Sequence, residues 1–475
     1  MGFKEKLTFG LIVGTRNIFN TKLASAARKQ ILEQMDKWGY SYVILRSEET
    51  PTGVIETVED ARKCAKLFRN NYDDIDGIIV VLPNFSDELG IVNTLSMSKL
   101  NVPVLVQACD DDNDKVDVNS RRDAFCGKLS VCNNLYQYGI PFTDTTYHTY
   151  PLESPLFKAD VDKFAAICRI IGGLKGARIG AIGARPGAFR TMRSSEKILQ
   201  ASNITVVPVD LSEILDAARS MDDEAKDVKA MIKRIRNYGN IDSQIASSQI
   251  ARQAKFGVAV ENWIAENNID ASAIQCWNSI QNTYGCASCV TMSMMSEMLM
   301  PSACEVDITG AISMYILALA SGVPAALLDW NNNFSDDRDT CVCTHCSNFP
   351  KSFIGKEPTI GTLDLLGTVV GSENSFGAVK GKVSPGPLTY YRLSTDDPKG
   401  IVKSYLGEGD VIDETYNMDG GIAVTKIPDL QKLMKYICKN GFEHHVAMCR
   451  GHVADIVEEA ITTYIGWDLY RHVPT

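Results

Sequence analysis

The sequence predicts an α/β fold: two doubly wound parallel-sheet domains over residues 1–172 and 173–352, then a small β-barrel-like C-terminal domain over 353–475. Three observations carry this expectation. The chain has 475 residues, whereas single hydrophobic cores stop growing at roughly 250–300 residues. Short apolar runs alternate with amphipathic helical patterns through the first two thirds, as in parallel strands joined by helices. After Pro350 the composition turns to Gly, Thr and Val in short alternating runs.

In the first domain, strands are expected at 8–13, 42–45, 77–82 and 102–107, with helices at 22–38 and 58–70. Leu23, Ile31, Leu32 and Met35 form the apolar stripe of the first helix. The Thr-, Tyr- and Pro-rich stretch 143–155 reads as a connection to a helix near 161–171. The second domain begins at Gly173, with strands expected at 178–183, 205–209, 274–277 and 325–329 and long helices at 211–238 and 245–267. In the third, alternating runs at 377–383 and 388–393 lie among turn signals at Ser384-Pro385-Gly386, Gly407-Glu408-Gly409 and Asp419-Gly420-Gly421. These suggest a small barrel or sandwich, closed by helices at 430–440 and 452–467.

Composition narrows the function classes. A net charge of −10 without any Lys/Arg-rich block opposes a nucleic-acid partner, because neutralising phosphates needs a basic face. No run approaches about 18 apolar residues, so no membrane span is expected. The opening Met-Gly-Phe-Lys-Glu-Lys leads into a short apolar run from Leu7 and reads as a first strand, not a signal peptide. With 14 cysteines in a long chain, this points to free thiols in a reducing compartment and a cytoplasmic protein.

Six histidines occur, and three fall in the stretch His444-His445-Val446-Ala447-Met448-Cys449-Arg450-Gly451-His452. Imidazole is the commonest neutral metal ligand, and neighbouring histidines often divide into one ligand and one supporting group. A surface pair beside a helix start fits the same residues. Two carboxylates invite attention. Glu305 stands just before the apolar helical run 311–321, where an acid also complements a helix dipole. Asp329 ends the apolar run 324–328, where an Asx turn is the structural alternative. In open α/β sheets ligands bind beyond the carboxyl ends of strands, which suits both acids for chemistry. Two carboxylates and an imidazole around a hard divalent ion would meet the needs of aldose–ketose isomerisation: a base, an acid and stabilisation of an enediolate.

The run Cys304-Glu305-Val306-Asp307-Ile308-Thr309-Gly310-Ala311, the strand end Leu328-Asp329-Trp330-Asn331-Asn332, the tail His444-His445-Val446-Ala447 with Gly451-His452, and the opening Gly10-Leu11-Ile12-Val13-Gly14-Thr15-Arg16 together resemble the L-fucose and L-arabinose isomerase-like family. The resemblance covers essentially the whole chain. It implies an aldose–ketose isomerase acting on a monosaccharide: a deoxyhexose or pentose, or an anionic 6-modified hexose. It implies Mn²⁺, or another divalent cation such as Mg²⁺ or Co²⁺, bound by Glu305, Asp329 and His445, with the two acids also the proton-transfer pair. Arg16, Gln275, His345, His444 and His452 are then expected at the sugar, with Gln281 an alternative to Gln275. The resemblance further implies a homo-oligomer, a trimer or hexamer, whose active site lies at a subunit interface that Arg16 crosses.

Other signals are weaker. Cys341-Val342-Cys343-Thr344-His345-Cys346 and Cys286-Ala287-Ser288-Cys289 invite a zinc reading, but their separation in sequence and the tight Cys341-x-Cys343 spacing disfavour one tetrahedral site. The Met-rich stretch 292–300 reads as packing. The loop from Gly183 to Arg193 lacks a dinucleotide glycine pattern, which counts against an NAD-dependent dehydrogenase. Its Arg185, Arg190 and Arg193, with Arg16, would suit a sugar bearing an acid group such as sulfoquinovose, a 6-sulfonated glucose. The rival from another class is a non-catalytic sugar-binding protein with two α/β lobes, which the carboxylate–histidine set disfavours.

Overall fold

The computed structural model describes residue 4 and residues 6–474. Residues 1–3 and 5, which carry part of the signal-peptide reading, lie outside the described residues. The chain divides into two compact units: Lys4–Gly172 with Glu459–Gly466, and Gly173–Glu458 with the residues from Trp467 onward.

The first unit holds strands Thr8–Val13 (β1), Ser41–Ile44 (β2), Gly77–Leu82 (β3), Val104–Ala108 (β4) and Thr143–Asp144 (β5), all parallel in the order β2-β1-β3-β4-β5. The period of two divides each strand between two cores. Phe9, Leu11, Val13, Ile79 and Val81 pack with Ala24, Ala27, Ile31 and Met35 of the helix Thr21–Trp38. Ile12, Ile78, Val80 and Leu82 pack with Cys64 and Phe68 of the helix Val58–Asn70. Both faces are covered, which is why these strands are apolar throughout. Gly10 permits the close approach: a Cβ there would stand 2.9 Å from the Phe68 ring. A Thr57–Asp60 capping box starts the second of these helices.

The second unit contains Arg178–Ile182 (β6), Thr205–Val209 (β7), Asn240–Ile241 (β8), Ala271–Ile274 (β9), Ser302–Cys304 (β10), Ala325–Asn333 (β11), Thr340–His345 (β12), Thr359–Thr362 (β13), Phe376–Lys382 (β14), Gly386–Asp396 (β15), Ile401–Val411 (β16), Gly421–Lys426 (β17), His445–Arg450 (β18) and Asp468–Arg471 (β19). A four-stranded parallel sheet runs β10-β9-β6-β7. A mixed sheet of ten strands runs β19-β16-β15-β18-β11-β12-β17-β14-β13-β8, and β17 pairs back to β16 at Asp410↔Lys426 and Val411↔Thr425. The helix Ile308–Ser321 packs against strands of both sheets. It is apolar nearly all round, as a helix without a solvent face must be.

Several expectations need correction. The 325–329 run is not a strand of the second parallel sheet; β11 is antiparallel to both β12 and β18. An apolar run buried on two faces reads the same in either sheet type, so it does not disclose its neighbours. The β-rich sheet is therefore not confined to 353–475, since β8, β11 and β12 belong to it. The long helix at 211–238 is two, Leu211–Ser220 and Lys226–Tyr238. Between them the Asp222 carboxylate accepts the Glu224 N–H at 2.9 Å, a local turn that competes with helix. The 452–467 helix is Ala454–Glu459 followed by a π-helical turn, Ala460–Ile465. The strand expected at 274–277 lies at Ala271–Ile274. No helix among the described residues is long and apolar enough to cross a membrane, and the 14 cysteines are all free thiols.

Candidate metal centre

Glu305 follows β10 directly and faces the space beyond the carboxyl end of the parallel sheet, where Gln275 follows β9 and Gly183 follows β6. The backbone turns sharply here. Glu305 and Val306 both sit in the left-handed region, at φ 61° and 54°. That is costly for any side chain with a Cβ and more so for a β-branched one, and such strain concentrates at functional sites. The turn is held by the Asp307 N–H donating to Cys304 O at 3.0 Å and the Ile308 N–H to Val306 O at 3.0 Å. Asp307 then caps the helix Ile308–Ser321, its Oδ1 accepting from the Gly310 N–H at 2.9 Å.

The other two expected ligands arrive from the mixed sheet. Asp329 on β11 lies directly opposite His445 on β18 in the antiparallel register, where facing side chains approach closely. His445 Nε2 is 3.4 Å from Glu305 Oε2 and 3.4 Å from Asp329 Oδ1. These separations are long for N–H···O hydrogen bonds. Among the described residues, Glu305 Oε2 and Asp329 Oδ1 are buried with no hydrogen-bond partner. Bonds of 2.0–2.1 Å to a six-coordinate ion put neighbouring ligand atoms about 3 Å apart. Ligand atoms within 4.8 Å of one another fall into two groups that share His445: Glu305 with His444 and His445, and Asp329 with His345 and His445. Two unsatisfied carboxylate oxygens and one imidazole nitrogen suit a hard or borderline divalent cation.

Asp307 and Arg392 complete the centre, and residue-by-residue sequence reading missed both, along with Glu443. Asp307 Oδ2 stands 2.8 Å from His445 Nδ1. The Arg392 guanidinium, fully buried, donates to Asp307 at 2.6 and 3.0 Å and to Glu443 at 3.1 Å. Burial alone would raise the Asp307 carboxyl, but the Arg392 charge and His445 overcome it and hold it well below the usual carboxylate range. Burial would likewise push His445 down, yet its hydrogen bond with Asp307 and the nearby Glu305 and Asp329 carboxylates carry it up to about 9. The available signal was an arginine inside the apolar strand pattern 388–393, a position where an unpaired charge is prohibitive.

Of the residues expected at the sugar, two join this centre. His444 Nε2 is 3.7 Å from Asp329 Oδ1. The His345 ring, at the end of β12, is 5.4 Å from that of His445. Burial pushes His345 down, but Cys346 and Asp329 outweigh it and bring it to about 9. Gln275 does a different job: its Oε1 accepts from the Ala184 N–H at 2.9 Å and its Nε2 donates to Ser279 Oγ at 3.1 Å, fixing the loop after β6. Gln281 is buried and donates to Cys276 O at 2.8 Å. His452 lies past the far end of β18 from His445, with its Nε2 3.4 Å from Gly409 O. Arg16 belongs to the first unit, where it pairs with Glu88, donates to Phe85 O at 3.2 Å and lies over the Phe85 ring.

A cleft of about 780 Å³ opens beside the centre, lined by Arg185, Arg190, Arg193, Lys403, Val306 and Glu443 among others. The same loop packs Phe189 edge-on to His444 and to Trp277, with ring centroids 5.8 and 4.7 Å apart. The lining mixes charges, with Arg185, Arg190, Arg193 and Lys403 among Glu196, Asp396, Asp397 and Glu443, and Lys403 pairs with Asp396 at 3.3 Å.

Two family descriptions match the chain: the Fucose/sulfoquinovose isomerase N-terminal domain over residues 10–175, and the L-fucose isomerase C-terminal domain over 343–472. A sulfoquinovose isomerase from Priestia aryabhattai is 24% identical over 449 residues, covering 93% of this chain and 94% of that protein. Another, from Alkalicoccus urumqiensis, is 26% identical over 294 residues; the match spans 60% of this chain and 63% of that protein's length, under two thirds of it. Among solved structures, a solute-binding protein from Burkholderia multivorans covers 68% of this chain and 95% of its own at 10% identity, with a TM-score of 0.19, too low to bear on the fold.

Proposed function

Because this chain belongs to the L-fucose isomerase-like family of aldose–ketose isomerases, we propose that it interconverts an aldose and its 2-ketose through a cis-enediolate, with Glu305, Asp329 and His445 holding a divalent cation, Mn²⁺ by preference. One observation carries the reading: two buried, unpartnered carboxylate oxygens facing a single imidazole nitrogen at 3.4 Å. When bound, the cation supplies Lewis-acid stabilisation of the negative charge that builds on the sugar's O1 and O2.

The protein's own groups do the rest. Glu305 and Asp329 approach the site from different sheets and flank C1 and C2 of an open-chain sugar. One carboxylate takes the proton from C2 of the aldose, and a proton is returned at C1 while another passes from O2 to O1. Atoms and charge balance, and the net change is a shift of the carbonyl by one carbon. Burial of Glu305 limits exchange of the transferred proton with bulk water. His345 and His444 are placed to hydrogen-bond sugar hydroxyls.

For the substrate we favour an anionic hexose over a neutral pentose or deoxyhexose. Relatives matched nearly end to end are named sulfoquinovose isomerases, and three arginines of one loop, Arg185, Arg190 and Arg193, line the cleft and suit a sulfonate-like group. The resemblance also supports a homo-oligomer, in which Arg16 would reach a neighbouring subunit's sugar, and a cytoplasmic setting. The test is an isomerase assay on sulfoquinovose, glucose and L-fucose. Activity should vanish in EDTA and return with Mn²⁺, and kcat/KM should be greatest for the sulfonated sugar. Full activity after exhaustive chelation removes the cation from the mechanism, and equal kcat/KM for charged and neutral sugars removes the anion preference.

A further inference from the structure

The functional reading leaves Asp307, Arg392 and Glu443 without a task, although they form the most deeply buried charged group beside the centre. Asp307 Oδ2 stands 2.8 Å from His445 Nδ1, and the two residues are 0% and 1% exposed. The remaining capacity of that carboxylate is also filled. Arg392 donates to Oδ2 at 2.6 Å and to Oδ1 at 3.0 Å, while Oδ1 accepts from the Gly310 N–H at 2.9 Å and from Thr309 Oγ1 at 3.2 Å. Arg392 is held in turn by Glu443 at 3.1 Å, which also accepts from Ser394 Oγ at 2.7 Å. Asp307 therefore has no oxygen free to meet a cation and cannot be a further ligand.

We propose that Asp307 is a positioning residue for His445, and that Arg392 clamps Asp307 in the orientation this requires. The inference rests on His445 being a cation ligand. An imidazole bound through Nε2 must carry its proton on Nδ1, and a carboxylate acceptor at Nδ1 fixes both tautomer and ring angle. The two-pronged Arg392 pair makes that acceptor rigid, because a guanidinium fork allows a carboxylate one planar arrangement. It also balances the Asp307 charge, so that the proton stays on the imidazole. The fold leaves room for this arrangement: a Cβ at Gly310 would stand 2.4 Å from Asp307 Oδ2 and 3.0 Å from Arg392 Nη1. The chain thus places a glycine in a helix's first turn where the carboxylate–guanidinium pair occupies the space of a side chain.

The test is the Mn²⁺ affinity of the full chain by equilibrium dialysis with metal analysis, which needs no turnover. Asp307→Asn keeps an N-cap oxygen for Gly310 but cannot also serve both Arg392 and His445. Its Kd for Mn²⁺ should rise tenfold or more, in line with the about 10–100-fold effect of losing such supporting groups. In a His445→Ala background the same change should have no further effect, because Asp307 acts only through that ring. Glu443→Gln, one step removed, should shift Kd less than threefold. If Asp307→Asn does not fold, Arg392→Lys keeps the charge but loses the fork, and should raise Kd threefold or more. An unchanged Kd in the folded variant, or an equal loss with and without His445, overturns the proposal. A parent protein that binds no Mn²⁺ overturns the functional reading itself, a distinct outcome.

Discussion

Gly310→Ala sets two physical rules against each other. Gly310 is the third residue of the helix Ile308–Ser321, and helix propensity alone favours alanine there by about 1 kcal/mol. The structure predicts the opposite sign. The new Cβ would lie 2.4 Å from Asp307 Oδ2, against a practical limit of 3.0 Å, so the carboxylate must retreat by at least 0.6 Å. It cannot do so freely, because the same oxygen accepts from Arg392 at 2.6 Å and meets His445 at 2.8 Å. Uncoupling a buried ion pair costs about 3–5 kcal/mol when one partner is lost outright. With the pair strained but not removed, and the propensity gain offset, the net loss should be about 2–3 kcal/mol. Amide hydrogen exchange reads this locally. Protection across 308–321 should fall by roughly 30-fold, the factor that about 2 kcal/mol represents. Equal or slower exchange in the variant would refute the claim that the ion pair fills the space beside Gly310.

Other expectations are more direct. Glu305→Gln should lower kcat by about 10²–10⁴, as expected for losing a proton-transfer group, with an unaltered circular dichroism spectrum; near-parent turnover removes Glu305 from the chemistry. His445→Ala should weaken Mn²⁺ binding in equilibrium dialysis while His452→Ala leaves it unchanged, since His452 lies beyond the opposite end of β18; comparable losses in both contradict that placement. Replacing Arg185, Arg190 and Arg193 together with glutamine should raise KM for an anionic sugar and leave KM for a neutral one within twofold. Native-state maleimide labelling, mapped by mass spectrometry, should modify Cys126 and Cys438 first, because these two thiols are exposed and ten of the others are buried; early labelling of Cys304 would show that the centre opens.

The parts of this protein that were readable in advance are those governed by local pattern. The helix at 58–70 and the strands at 8–13 and 77–82 coincide with the structure, because helical spacing and short apolar runs are written within a few residues. What escaped depends on distant partners. Residues 325–328 are apolar on both faces, and nothing within the run tells whether its neighbour is a parallel strand or His445–Arg450, more than a hundred residues later. The candidate ligands Glu305, Asp329 and His445 stand in recognisable motifs, but Arg392 does not. An arginine in a strand pattern reads as solvent-facing until Asp307 and Glu443 are seen to meet it. The resemblance places His452 at the sugar through the Gly451-His452 motif, while an extended strand carries residues apart at about 3.3 Å each.

The facing of Asp329 and His445 across two strands makes the centre sensitive to length before it is sensitive to identity. Pairing a strand one position out of step turns its side chains to the opposite face. A deletion of one residue between the helix Leu430–Lys439 and β18 would therefore bring Val446 to the place opposite Asp329, and an insertion of one residue would bring His444. The doubled imidazole would still offer a nitrogen, but one without the Asp307 acceptor behind it. In divergent relatives, this short connection should tolerate exchanged residues far more readily than added or missing ones.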